Sequence, residues 1–295
     1  LVKNPDKVKY YAQELKENTY NLTRMNLVMR GISPSNLFVR NGDTLEDDWP
    51  FFEEGQTDTY QLVKVDVVVS NPPYSQKWDV KDKKFDPRFS NYGVAPKGKA
   101  DLAFLLHDLY HLEDDGIMTI VLPHGVLFRG NEEETIRMNL IEKNNIDAII
   151  GLPENIFYGT QIRTIIMILK RTRSNTDVLY VDASNGFEKG AKKNILKASD
   201  IKRIVDVVKA RSEVPGYSVL VKKEQIVANN YNLNIPRYLD TFEPAEPWDI
   251  HSIMFGGIPN TELDSLNEYW DAMPGMREDI FRSITPEYVE LCAMD

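Results

Sequence analysis

The sequence predicts an α/β protein built on a doubly wound sheet, and three observations carry that reading. Strand-like and helix-like patterns alternate from the first residues to about residue 195. A nearly continuous β-branched run, Val65-Asp66-Val67-Val68-Val69-Ser70, has the composition of a parallel strand buried on both faces. Asn71-Pro72-Pro73-Tyr74 follows it at the carboxyl end, where open α/β sheets place their ligands.

Taken in order, Val8 to Glu14 reads as a strand and residues 18–30 as a helix capped by Asn18 or Thr19, with Leu22, Met25 and Met29 on one face and Gly31 ending it. A strand at Leu37-Phe38-Val39 precedes the valine-rich one. A helix at 100–113 leads to the strand 117–122. A helix at 132–143 follows, opened by Asn131 and three glutamates that suit its positive dipole end. Strands at 146–152, 164–169 and 178–181 complete the sheet, which is expected to end in an antiparallel element. Helical patterns dominate beyond residue 195, and from Thr241 a proline-rich acidic stretch contains short helices, around 261–271 and 276–292. This divides the chain into a core at 1–240 and an acidic, mainly helical tail at 241–295.

Charge supports that division. The chain of 295 residues carries 45 acids and 35 bases, a net −10, but from residue 239 onward thirteen acids face only Arg277 and Arg282, which leaves 32 acids against 33 bases before that point. A near-neutral body is poorly equipped to grip nucleic acid unaided, because phosphate neutralisation supplies most non-specific affinity. A basic partner or locally basic loops are needed. One cysteine, Cys292, excludes an internal disulfide and a thiolate metal cluster, and His107 and His111, though four apart, have no glutamate base between them, so no metal is expected. No apolar run is long enough for a membrane span and the first residues lack a signal-peptide pattern, so a soluble, cytoplasmic protein is expected.

The chemistry points to an amine. Successive prolines fix φ and lack N–H groups, so the Pro72 carbonyl can project as a rigid acceptor beside the Asn71 side-chain oxygen. Accepting both protons of an exocyclic NH2 group disfavours resonance of the nitrogen lone pair into its ring and aims it at an electrophilic methyl. The Tyr74 ring, with Pro73 before it, offers a face for stacking a flipped base. A proline-rich turn that only ends a strand is the competing reading, and it suits this position in the sheet less well. Glu14, at the end of a strand, stands where such folds bind ribose hydroxyls, although an ordinary exposed acid fits the residue alone better. Asp43, in Asn41-Gly42-Asp43-Thr44-Leu45, is either a partner for an adenine amino group or a Gly-Asp turn.

From Ser75 to Lys99 seven bases (Lys77, Lys81, Lys83, Lys84, Arg88, Lys97, Lys99) oppose Asp79, Asp82 and Asp86, with Trp78, Phe85, Phe89 and Tyr92 interleaved. Beside a base pocket this suits a nucleic-acid-contacting loop, with a solvated surface loop as the alternative. His124 and Arg129, in the loop after the next strand, are candidates to face substrate, and a lone loop histidine is more often structural.

These residues resemble the modification subunit of type I restriction-modification enzymes, which are N6-adenine DNA methyltransferases. The resemblance runs through Gln13-Glu14, residues 19–26, Gly42-Asp43-Thr44-Leu45, Asn71 to Tyr74, Asp101-Leu102-Ala103-Phe104, Leu122 to Gly130, Gly151-Leu152-Pro153, Phe157-Tyr158-Gly159-Thr160 and Tyr231 to Tyr238. It covers roughly residues 8–240. It implies a Rossmann-like S-adenosylmethionine-dependent methyltransferase sheet, amino-terminally truncated because the family's first strand and glycine loop would precede residue 1. It also implies Glu14 on the cofactor ribose, Asp43 near its adenine, Asn71 to Pro73 on the target amine, and Tyr74 stacked on the flipped adenine, where many members have phenylalanine. Implied partners are double-stranded DNA, a specificity subunit, a restriction (nuclease) subunit and a second copy of the modification subunit; the acidic tail reads either as a docking element for a partner or as a solvated acidic extension. An amino-directed methyltransferase acting on RNA or a protein glutamine, and a non-catalytic scaffold, are the alternatives.

Overall fold

The computed structural model describes residues 7–46, 62–158, 160–239 and 249–292. Contacts divide the chain into two units, Leu1–Thr241 and Phe242–Asp295.

In the first unit, β1 (Tyr10–Glu14), α1 (Glu17–Met29) and β2 (Leu37–Asn41) form a β-α-β crossover, with β1 and β2 paired in parallel so that Glu14 lies opposite Asn41. α1 begins one residue before the expected caps, which fall in its first turn, and it buries none of its residues; Leu22, Met25 and Met29 lie exposed. The main sheet has six strands in the order β10-β7-β5-β6-β4-β3, from β3 (Val65–Ser70), β4 (Leu112–Pro123), β5 (Ile146–Gly151), β6 (Thr164–Lys170), β7 (Val178–Asp182) and β10 (Ser218–Val221). It is mixed. β3 with β4 and β5 with β7 are parallel, β6 runs antiparallel between β4 and β5, and β10 closes the far edge antiparallel to β7. The expected antiparallel end is present, and a second reversed strand lies inside the sheet, because the described residues between β5 and β6 hold no helix to carry a crossover and the chain returns antiparallel. Between β7 and β10 the chain makes a small hairpin, β8 (Glu188–Lys189) with β9 (Asn194–Ile195), and a helix, α4 (Ala198–Ala210); a short helix, α5 (Lys223–Ala228), follows β10.

Alternate residues of these strands feed two apolar clusters. Val178 and Tyr180 pack on one face with Leu102, Leu105 and Leu106 of α2 (Asp101–Tyr110) and Ile136 and Leu140 of α3 (Glu132–Glu142), while Leu179 and Val181 pack on the other with Ile204 and Val207 of α4. Asn131 makes no side-chain cap for α3; its carbonyl accepts from the Thr135 N–H instead. The 231–238 segment is fastened to the first face. Leu233 N–H donates to Leu127 O, and the buried Arg137 guanidinium donates to the carbonyls of Tyr231, Val126 and Arg129.

β3 departs from its expected burial. It pairs in parallel with β4 as its composition suggests, but Val67 is 61% and Val69 84% exposed. Its other edge borders an open cleft whose far wall is β1, and β-branched residues facing that cleft are uncovered.

The second unit is not helical throughout. Short helices α6 (Ile250–Phe255), α7 (Asn260–Asp264), α8 (Asn267–Ala272) and α9 (Met276–Ile280) accompany a three-stranded antiparallel sheet of β11 (Ile258–Pro259), β12 (Phe281–Ser283) and β13 (Tyr288–Leu291). The expected helix over 276–292 therefore ends at Ile280. Pro286 cannot donate within a helix and sits in the turn between two β-branched and aromatic segments, which pair as a hairpin. No helix among the described residues is long and apolar enough to cross a membrane.

Candidate active site

A cleft of about 1970 Å³ runs between β1 and β3, and Glu14, Asp43 and Asn71 to Tyr74 all line it. Pockets for a single small ligand are typically about 300–1,000 Å³, so there is room for a cofactor and a base together. Parallel pairing places the carboxyl ends of β1 and β2 side by side. Glu14, at the end of β1, and Asp43, two residues beyond β2, thus share one wall. Glu14 accepts from the Lys16 N–H at 3.0 Å, and Asp43 accepts from the Leu45 N–H at 2.9 Å in the turn anticipated for it. Each holds its carboxylate by a single local bond, with a second oxygen to offer. In the same wall the buried Gln13 Nε2 has no hydrogen-bond partner among the described residues.

Opposite lie Asn71 to Tyr74. Pro72 is buried and Asn71 and Pro73 are exposed, so the quartet is anchored at its centre and open on either side. The Tyr74 hydroxyl donates to Asn71 Oδ1 at 2.9 Å, which turns that oxygen to the pocket and leaves it a second lone pair. Burial, and then the charge of Asp101, push the Tyr74 phenol up, so it remains a protonated donor. Phe157 approaches the Tyr74 ring edge-on at 6.4 Å and, with Tyr158 and Ile162, extends the apolar wall on which a base could lie.

The loop after Tyr74 is locked from behind. Ser75 has φ +52°, a left-handed conformation that costs a non-glycine residue energy. Its N–H donates to Asp101 Oδ1 at 2.6 Å, while Arg129 bridges Asp101 Oδ2 at 3.3 Å and Glu133 Oε1 at 3.2 Å. Asp101 and Glu133 are buried. Arg129 is thereby engaged away from the cleft, contrary to its expected substrate-facing role. His124 is half-buried against Phe128 and does not line the cleft; burial and then Arg163 hold its imidazole below the usual range, so it is predominantly neutral.

Two groups on α2, Asp108 and His107, also line the cleft, neither of them anticipated as a site residue. Asp108, with one carboxyl oxygen unpartnered, is pushed up to about 7 by burial against the opposing hydrogen bond from Ser70. His107 accepts at Nδ1 from Arg88 at 3.0 Å and is driven well below its ordinary value by burial, His111 and Arg88. They lie on a helix whose apolar pattern draws attention to its core face; the sequence offers His107 only as half of a metal pair with His111 and assigns Asp108 no role. The 75–99 loop is also more structural than its composition suggests. Trp78, Phe89 and Arg88 are buried, and Arg88 ties Asp86 to the Thr44 and Leu45 carbonyls, whereas Lys77, Lys81, Lys84 and Lys97 remain exposed.

Residues 2–246 match the N-6 DNA Methylase family. The chain belongs to that family. Among its relatives in the N-6 DNA methylase family, the type I restriction enzyme MpnII methylase subunit of Mycoplasma pneumoniae is 39% identical over 288 residues, covering 95% of this chain and 51% of the relative. The MjaVIII methylase subunit of Methanocaldococcus jannaschii is 32% identical over 283 residues, covering 91% and 47%. The crystal structure of a type I restriction-modification methyltransferase subunit from Streptococcus thermophilus superposes with a TM-score of 0.75 at 50% identity, covering 80% of this chain and 49% of that one. The chain thus spans about half the length of the relatives it matches. The Rossmann-like reading of its mixed sheet agrees with that structural neighbour.

Proposed function

We propose that this N-6 DNA methylase chain methylates N6 of adenine in double-stranded DNA, as the modification subunit of a type I restriction-modification enzyme, with residues 1–240 as catalytic core and 241–295 as an accessory acidic tail. The supporting observation is that one cleft carries Glu14 and Asp43 on one wall and Asn71 to Tyr74 on the other. In this reading the partners are a specificity subunit, a restriction subunit and a second modification subunit, in the cytoplasm.

S-adenosylmethionine, when bound, supplies an electrophilic methyl group. Glu14 would hold its ribose and Asp43 its adenine, both acids having an oxygen to spare, and the unpartnered Gln13 amide suits the same ligand. Across the cleft, Asn71 Oδ1 and the Pro72 carbonyl accept the two protons of the target amine. That localises its lone pair for attack and stabilises the positive charge that develops on nitrogen. The ring of Tyr74 stacks on the flipped base while its hydroxyl fixes the Asn71 amide. Pro73 holds the turn rigid between them.

Incubating the protein, in the assembly isolated from its own host, with methyl-labelled S-adenosylmethionine and unmodified host DNA should place label on adenine N6. Asn71→Ala should lower the rate by about 10²-fold or more, as loss of one charge-stabilising group does elsewhere. Label on RNA or protein alone, or a fully active Asn71→Ala, overturns the reading.

A further inference from the structure

The hairpin of β8 and β9 lies outside every element used so far, yet it is fastened to the wall of the base pocket. Asn194 N–H donates to Asn155 O at 2.8 Å and Asn194 Nδ2 to Glu154 O at 2.9 Å, binding the second strand to the loop that carries Phe157 and Tyr158. Lys193 Nζ stands 4.3 Å above the Tyr158 ring, and that ring, 77% exposed, lines the cleft. The turn is tightly built. Gly190 N–H donates to Lys193 O, and a Cβ at Gly190 would lie only 2.5 Å from that same oxygen, so the position excludes a side chain. Its tip, Lys189-Gly190-Ala191-Lys192-Lys193, carries three positive charges and no acid. Lys189 and Lys192 are exposed, and none of the three lysines forms an ion pair with a described residue, whereas the neighbouring Lys197 meets Glu188 at 3.6 Å.

We infer that this hairpin is a phosphate-binding clasp that grips the DNA backbone beside the flipped adenine. The body of the chain is near neutral, so backbone affinity must come from local clusters, and a cluster at the pocket rim both binds the strand and sets the register of the extruded nucleotide. The Tyr158 ring holds the Lys193 ammonium by cation–π attraction over the pocket wall, orienting a flexible side chain before DNA arrives. The other two lysines extend the positive surface along the tip. A phosphodiester is the ligand class that fits, since three lysines grouped without an acid present a cluster of point charges suited to phosphate oxygens.

The inference rests on the proposed action on DNA. DNA affinity of the native assembly is measured against salt for the wild type and for Lys189→Gln/Lys192→Gln/Lys193→Gln, on a duplex that carries the target and on one that does not. Each lysine–phosphate contact contributes about 0.9 to the slope of log K against log salt, so the triple variant should lose about 2–3 from that slope, with equal weakening on both duplexes. A control of equal charge, Lys202→Gln/Lys209→Gln/Lys222→Gln, alters exposed lysines on and just beyond α4 and β10 and should change the slope by less than 1. An unchanged slope in the hairpin variant, or an equal loss in the control, overturns the clasp and leaves adenine methylation standing. A wild type without salt-dependent DNA binding overturns both.

Discussion

At the residue scale, the groups proposed to touch a target base depend on one that does not. Asp101 is buried and accepts from the Ser75 N–H, holding a left-handed residue next to the Tyr74 ring, and Arg129 balances its charge. Asp101→Ala orphans that N–H and frees Ser75 to relax, so we expect a stability loss of about 1–3 kcal/mol. The turnover rate should fall on the order of 10²-fold, because a base held even 1 Å out of place loses that much. Asp101→Asn keeps an acceptor oxygen and should recover most of the rate. Thermal unfolding with kcat and KM for all three proteins checks this; a destabilised Asp101→Ala variant with wild-type kcat would make Asp101 structural only. The candidate quartet Asn71 to Tyr74 stood out in the sequence because four adjacent residues carry the chemistry proposed for it. The Ser75–Asp101–Arg129 lock did not, because its members lie 26 and 28 positions apart and meet only when α2 and the 124–130 loop reach the same sheet edge.

At the element scale, β5 is held by charge as well as by packing. Asp147, 6% exposed, meets Lys170 at 2.9 Å, Arg173 at 3.1 Å and Arg211 at 2.7 Å, which ties β5 to the end of β6, to the loop before β7 and to the left-handed carboxyl cap of α4. Burial raises the Asp147 carboxyl, but the Lys170 hydrogen bond and the charges of Arg211 and Arg173 outweigh it and leave the group below its ordinary value. Asp147→Ala strands the almost fully buried Arg173 side chain and should cost about 3–5 kcal/mol. Because the folded carboxyl is depressed, the wild-type advantage is present above the unfolded value of 3.8 and is lost as pH falls through the lower, folded one. Denaturant midpoints of the two proteins at pH 7 and below pH 3 check it; a constant difference would mean packing alone. Strand and helix positions were legible from periodicity. What failed was neighbourhood: β3 has the composition of a buried strand but borders the cleft, and residues 281–291 follow a helical start yet pair as a hairpin.

At the scale of the whole chain, each unit has buried apolar residues of its own among the described residues: the clusters of the first unit run to Leu239, and the second buries Leu263 and Val289. A chain ending at Thr241 should therefore unfold cooperatively, with Tm within about 4 °C of the full chain, the shift expected for roughly 1 kcal/mol in a domain of this size. It also brings acids and bases to 33 each, from a net charge of −10. Removing that repulsion should strengthen non-specific DNA binding most at low ionic strength, where the field of the acidic segment is least screened. If affinity for random duplex at 50 mM salt is instead unchanged or falls, the acidic segment does not repel DNA, and its charge serves something other than restraint on DNA binding.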